Sequence, residues 1–514
     1  MALKDVVMTK KDLLKSIEIG SRVAEQEEDG LTRYFVETDQ WESIYTGKVD
    51  IVFGAKGTGK SALYTLLSLK ENNLFDRGIV ISPAENVRGE TVFRSLVSDP
   101  PPSENSFIFL WKLYCLVLSA RTLRDYDIEN DHSRQLVKIL EEISLLPKKA
   151  SLATMFTSVK DYFGSLLNRK AGAVEHSITI DSDSGMPIIT RRVEFKELNE
   201  ASSLNEVPIN ELLEITNTAF KKQKLEFWIL FDRLDVAFAE SKELERNALR
   251  ALVRCYNDFM AYSNIRLKIF IRDDIWKQIA TGGFREASHV TRTTNIDWSP
   301  DGLLNLIMRR LISNDSFVEY CGVDRSELIS NFTKQKDVMF SILPEKIDIG
   351  KNPNTFDWIV SRIRDGLDIA APREFIHMFE TLKTNQLQRL ERGEKEPDGK
   401  IVFDKSIFKD SLITVSKVKY EQTLLSEYNE YLSYFEALRG KKSEHNLSTL
   451  SELWNTSTEE AAKIANNLTS IGFFIKKKEK DDISYWVPFI YRGALELVQG
   501  KAFSDSEGTV ECDD

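Results

Sequence analysis

Val49-Asp50-Ile51-Val52-Phe53 runs directly into Gly54-Ala55-Lys56-Gly57-Thr58-Gly59-Lys60-Ser61, and Ala62-Leu63-Tyr64 follow. The first five residues read as a short buried strand. The glycines break it, and a helix opens at Lys60. Gly-x4-Gly-Lys-Ser between a strand and a helix is a phosphate-binding loop. Its glycines let backbone N–H groups wrap phosphate oxygens, and the helix N-terminus behind them adds partial positive charge. In such a loop Lys60 reaches the β- and γ-phosphates of a nucleoside triphosphate and the Ser61 hydroxyl ligates Mg²⁺. Residues Gly54 through Ala62 form the expected nucleotide-binding set.

A Mg²⁺ ion in this setting needs an acid at the tip of a buried strand. Phe227-Trp228-Ile229-Leu230-Phe231 is such a strand and Asp232 follows it. Asp232 is the candidate metal carboxylate; the plainer reading of a strand-end Asp is a helix N-cap. A water-activating acid is expected directly after the metal acid, but Arg233 stands there. Asp235 is the next acid and the candidate base, or hydrolysis is slow. A further strand, Leu267-Lys268-Ile269-Phe270-Ile271, ends in Arg272-Asp273-Asp274. Arg272 can bridge γ-phosphate oxygens with its guanidinium, or it can pair with Asp273 or Asp274. Downstream, Ala371-Pro372-Arg373-Glu374-Phe375 opens a helix. Proline is ordinary at a first helical position, and Arg373 is placed to reach a nucleotide from a lid.

These motifs sit in a chain of 514 residues, enough for about two to four domains. Residues 1–45 read as helix and link, and 46–297 as an α/β core with a mostly parallel sheet. Its strands are apolar runs alternating with helices. Within the core, Ser177-Ile178-Thr179-Ile180 and Pro187-Ile188-Ile189-Thr190 flank Asp181-Ser182-Asp183-Ser184-Gly185, a hairpin inserted near 171–198. Residues 298–440 read as a helical lid. Residues 441–500 follow the order helix, turn, helix, hairpin: Leu447 to Trp454, a helix capped by Ser457-x-x-Glu460, then strands around Lys478-Glu479-Lys480-Asp481-Asp482. That order is a winged helix. Residues 501–514 read as a disordered acidic tail.

The formal net charge of -11 argues against a surface basic all over, as in a non-specific nucleic-acid coat. Cys115, Cys255, Cys321 and Cys512 lie far apart and form no metal or disulfide framework. His132, His176, His289, His377 and His445 are scattered and read as ordinary core or surface residues. The longest apolar run, Phe107 to Ala120, is short and carries Lys112, so a buried helix is expected and no membrane partner. The expected location is cytoplasmic.

Together, the loop at 54–61, Asp232-x-x-Asp235, Arg272, Pro372-Arg373 and the winged helix resemble the AAA+-like and STAND/KAP-like branch of P-loop ATPases. The segments Phe107-Ile108-Phe109-Leu110-Trp111-Lys112 and Ile269-Phe270-Ile271-Arg272-Asp273-Asp274-Ile275-Trp276 are similar to bacterial stand-alone ATPases of the FunZ-like kind. The resemblance implies ATP with Mg²⁺, no guanine-reading Asn-Lys-x-Asp, and nucleotide-driven switching of lid and winged helix, often with oligomerisation. Relatives in this branch serve in phage defence, signalling and DNA transactions. Arg233 departs from the pattern, and no ABC-type Ser-Gly-Gly signature or effector domain is visible.

Three readings follow. The first is an ATP-driven switch that assembles with or regulates a protein partner. The second is a DNA-binding ATPase of the origin-recognition or loader type, using the basic wing Lys476-Lys477-Lys478-Glu479-Lys480. Against it, the helix Thr458 to Ser470 offers only Lys463, Asn466, Asn467 and Thr469 to DNA, beside Glu459 and Glu460. The third, a small-molecule kinase, fits the size, lid and winged helix least well.

Overall fold

The computed structural model describes residues 8–22, 27–85, 103–148, 151–168, 178–180, 187–189, 209–234, 242–281, 283–479 and 482–503. The chain forms two compact units: Glu37–Gly54 with Gly59–Ile296, and Met1–Val36 with Ala55–Thr58 and Asp297–Asp514.

The first unit is built on β1 (Ile51–Gly54), β2 (Ile79–Pro83), β5 (Glu226–Phe231), β6 (Ile265–Arg272) and β7 (Thr293–Asn295); a hairpin of β3 (Ile178–Ile180) and β4 (Pro187–Ile189) accompanies it. The large sheet has the order β2-β5-β6-β1-β7, and every described pairing in it is parallel. Parallel strands are covered on both faces, which is why β5 is an unbroken apolar run after its first residue. The strand ending in Arg272 lies between the loop strand and the Asp232 strand. β7 was not legible: Thr293-Thr294-Asn295 is short, polar and at the sheet edge.

The Glu104–Asp125 helix packs against the Lys242–Phe259 helix, and Trp111 within it is fully buried, its indole N–H donating to the Ala248 carbonyl (2.8 Å). This helix is long and apolar enough to cross a bilayer, yet 89% of its most apolar window is buried. Lys112 breaks the apolar run because it pairs with Asp258 (2.7 Å) while 1% exposed.

A buried ion cluster sets the loop strand in place. Asp50, at the foot of β1, accepts from Lys268 of β6 (2.7 Å) and pairs with Arg292 (2.6 Å) just before β7. Lys268 also lies over the Trp228 ring (4.2 Å), and burial pulls its pKa down to about 8 despite Asp50. Removing one partner of such a pair strands the other in the core. Three adjacent strands are thereby tied at their shared lower edge.

In the second unit the N-terminal stretch folds as short helices, Lys10–Ser16 and Glu28–Tyr34, with Asp39–Tyr45 falling to the first unit. The helix expected for this stretch stops at Ser16, Gly20 beyond it takes φ +83°, and helices open again at Glu28 and at Asp39, the last capped by Thr38. Leu13 and Leu14 are fully buried in a core shared with helices Pro300–Ile312, Thr355–Ile363 and Pro372–Glu391. The winged-helix region holds β8 (Lys442–Asn446), helices Leu447–Leu453 and Thr458–Ser470, β9 (Ile475–Glu479), β10 (Asp482–Trp486) and β11 (Val498–Lys501). Its sheet runs β11-β8-β10-β9, so the expected hairpin gains a strand on its far side and a parallel edge strand. Ser457 caps the second helix as expected, but the Glu460 carboxylate turns to Lys463 (3.4 Å). The fold class is α/β: a P-loop core with a parallel sheet, a helical lid and a C-terminal winged helix. Of the tail, residues 504–514 lie outside the described residues, as does the turn of the inserted hairpin.

Candidate functional site

The loop leaves β1 at Gly54 and enters the Lys60–Leu69 helix, with Gly57 and Gly59 at φ +85° and +106°. An L side chain is strained at either angle, so the glycines are what let the chain turn here. Gly59 is the N-cap and carries no side chain to bond the first helical amides. Those N–H groups lie at the positive end of a ten-residue helix. Lys60 donates from Nζ to the Gly54 carbonyl (2.7 Å), and Thr58 Oγ1 donates back to the Ala55 carbonyl (2.8 Å). Ser61 and Ala62 sit half-buried in the first turn.

Asp232 follows β5 and is 4% exposed. Arg233 takes a left-handed backbone, φ +55°, so the residue after Asp232 leaves the strand direction at once. Asp235 lies outside the described residues. Arg272 ends β6 in register with Gly54. Its guanidinium grips Asp274 with two bonds, Nε to Oδ1 (3.0 Å) and Nη2 to Oδ2 (2.6 Å), so the ion pair weighed from sequence forms. Gly54, Lys60, Asp232 and Arg272 thus occupy one edge of the sheet, the carboxyl ends of β1, β6 and β5, where open α/β sheets bind ligands.

Among the described residues no group of three or more His, Cys, Asp or Glu could hold a metal ion. A Mg²⁺ ion carried in on a nucleotide would ask only the Ser61 hydroxyl and the Asp232 carboxylate of the chain, phosphate and water supplying the rest.

The loop tip, Ala55–Thr58, has its own set of contacts within the second unit. The Arg373 amide donates to the Gly57 carbonyl (3.4 Å), and the Trp298 indole donates to the Thr58 carbonyl (2.8 Å). Lys56 pairs with Glu427. A Cβ on Gly57 would stand 3.1 Å from the Arg373 Cβ. Pro372 opens the helix as expected, and Arg373 Nε is buried without a hydrogen-bond partner, a donor suited to an anion. Glu374 pairs with Lys419 (3.1 Å) while its other oxygen is buried without a partner.

Sequence reasoning missed Trp298 and Glu427, whose contacts with the loop span hundreds of residues. It also missed Glu85, a bend residue just past β2 with no exposed surface. Tyr64, from the helix behind the loop, donates its hydroxyl to the Glu85 carbonyl (2.9 Å). Burial and the nearby charges of Asp232 and Glu85 push the Tyr64 hydroxyl well above its ordinary pKa.

No protein-family model matches the chain, and no curated protein does either. Among solved structures it aligns with a Walker-type ATPase of Pyrococcus abyssi at 11% identity, covering 90% of this chain and 96% of that one, with a TM-score of 0.38. The ORC2 protein of Aeropyrum pernix, solved as ADPNP–ADP complexes, aligns at 10% identity over 93% and 94% of the two chains, TM-score 0.40. The ORC1 protein of Aeropyrum pernix in complex with DNA aligns at 10% identity over 95% and 98%, TM-score 0.33. Similarity this distant carries no statement about function.

Proposed function

We propose that this chain is a Mg²⁺-dependent ATPase that works as a nucleotide-driven switch for a protein partner or for further copies of itself. The observation that carries the reading is the gathering of the loop, Asp232 and Arg272 at the carboxyl edge of one parallel sheet, with Arg272 level with Gly54. In this reading the loop amides and Lys60 bind the phosphates, and Ser61 and Asp232 hold the metal. Arg272 gives up Asp274 to sense the terminal phosphate. Arg373, whose amide already holds Gly57, is the lid contact. ATP supplies the phosphoryl group; the residues bind, orient and neutralise charge. Asp235 stays a candidate base, tested by Asp235→Asn.

The winged helix supports the switch reading over DNA contact. On the Thr458–Ser470 helix the exposed residues include Glu459 and Glu460, and its Lys463 is paired with Glu460. Lys476 bonds to Asn466 (3.0 Å) and Lys477 pairs with Glu444 (3.9 Å), so two of the wing lysines are held within the domain. The DNA-loader reading keeps one observation in its favour, the run Lys476-Lys477-Lys478 on an edge strand. A titration with duplex DNA at rising salt separates the two: a steep, salt-dependent affinity favours the loader, and no binding at low salt removes it.

The ATPase assignment is tested by Lys60→Ala and Asp232→Ala in a phosphate-release assay. The expected result is turnover reduced by about 100-fold or more in each, from loss of one charge-stabilising group. Wild-type turnover in both would remove the assignment. Native mass measurement with and without ATP tests assembly.

A further inference from the structure

From the geometry we infer that Glu85 is the catalytic base of ATP hydrolysis, the group that takes the proton from the attacking water; this rests on the ATPase reading above. The residue that follows Asp232 is a cation with a left-handed backbone, so the acid expected at that place is missing. The neighbouring strand supplies one. β2 and β5 pair in parallel from Ile79↔Glu226 to Pro83↔Leu230, the last pairing being closed by the Ala84 amide on the Leu230 carbonyl (2.8 Å). Glu85 and Asp232 each come two residues after that last pairing, Glu85 in the bend beyond β2 and Asp232 directly after β5. Both acids therefore follow the carboxyl ends of adjacent parallel strands, on the sheet edge where β1 ends in Gly54.

The backbone at Glu85 is held from two directions. Tyr64 donates to the Glu85 carbonyl (2.9 Å) and Tyr114 to the Ala84 carbonyl (2.7 Å). Tyr64 belongs to the helix that opens at Lys60, so the element that presents the phosphate-binding amides also fixes Glu85. A carboxylate is costly to enclose, and Glu85 is fully buried just past a strand tip on the same sheet edge as Asp232.

The step balances without another reactant. Water oxygen forms the bond to the γ-phosphorus while a Glu85 oxygen accepts one of its protons. The bond from that phosphorus to the bridging oxygen breaks, and ADP leaves with the electron pair. Glu85 then returns its proton to phosphate or solvent.

Glu85→Gln in the full chain is the test, read as ATP affinity, single-turnover hydrolysis, its pH profile and thermal stability. The expected result is ATP binding within about threefold of wild type, hydrolysis slowed by about 100- to 1000-fold, and loss of the acid limb of the pH profile. A merely structural Glu85 would lower binding and melting temperature together and leave the limb in place, which overturns the inference. Wild-type hydrolysis in Glu85→Gln, with loss in Asp235→Asn, overturns it in favour of Asp235. If Glu85→Gln does not fold, Glu85→Asp carries the test: a carboxylate drawn back by one methylene should slow turnover about tenfold and keep the acid limb, and unchanged turnover overturns the inference. A wild-type chain that binds no ATP removes the ATPase reading itself, a different failure from a working ATPase indifferent to Glu85.

Discussion

Gly57 is where a single carbon decides the shape of the loop. Its φ of +85° is strained for any L residue, and an added Cβ would press on the Arg373 Cβ at 3.1 Å. Gly57→Ala is expected to lower stability by about 1–3 kcal/mol, read from a urea melt, with nucleotide binding weakened because the tip must shift. At this scale the sequence was most readable where residues are neighbours in the chain. Gly54 to Ser61 carry their meaning in a row, and Arg272 and Pro372-Arg373 were placed by short local patterns. Glu85 was not readable, because its relation to Asp232 exists only through the pairing of β2 with β5. The Asp50–Lys268–Arg292 cluster was hidden for the same reason: each charge lies in or beside a strand, and only strand adjacency joins them.

Among the elements, the Pro372–Glu391 helix carries both the loop contact at Arg373 and a buried histidine one turn further on. His377 is 9% exposed, and burial with the nearby Arg22 charge lowers its pKa from 6.5 to about 4. The unfolded chain therefore binds this proton before the folded one does. Stability from keeping His377 neutral is fully present above pH 6.5 and is lost as pH falls from 6.5 through 4. Thermal melts should show the wild type losing more melting temperature than His377→Gln between pH 6.5 and pH 4. An equal decline in both proteins would mean that the imidazole is solvated. Elements with strong periodicity or apolar runs were legible from sequence, among them β5, β6 and the Glu104–Asp125 helix. Those without were not: β7 is three polar residues, β8 is a polar stretch whose middle residues are buried all the same, and β11 is a short, partly exposed edge strand.

For the whole molecule, the chain order and the spatial order differ. The core that holds helices Pro300–Ile312 and Pro372–Glu391 also holds Leu13, Leu14, Ile17 and Ile19 from the first twenty residues. Further ties are the Arg310 guanidinium on Glu27 (3.1 Å) and on the Ile19 carbonyl (2.7 Å), with the Tyr34 ring 4.3 Å away. A fragment of residues 297–514 alone should therefore be insoluble or molten, with exposed apolar surface detectable by dye binding. Adding residues 1–36 as a separate peptide or by fusion should restore a cooperative melt. A fragment that melts cooperatively without them would show the N-terminal helices to be dispensable. No local pattern in the first 36 residues announces this destination; an amphipathic helix says that it packs, not on what.

The burial of Leu13 and Leu14 against elements past residue 297 also sets a schedule for synthesis. The helices of residues 1–36 leave the ribosome well before the surface that covers them, which is encoded roughly 260 residues later. At about 5–20 residues per second that is a wait on the order of 10–50 seconds. Through that interval the nascent chain holds an uncovered apolar segment while the sheet that follows it is already able to fold. A holding chaperone, or slow translation across the helical region, would bear directly on the yield of native protein.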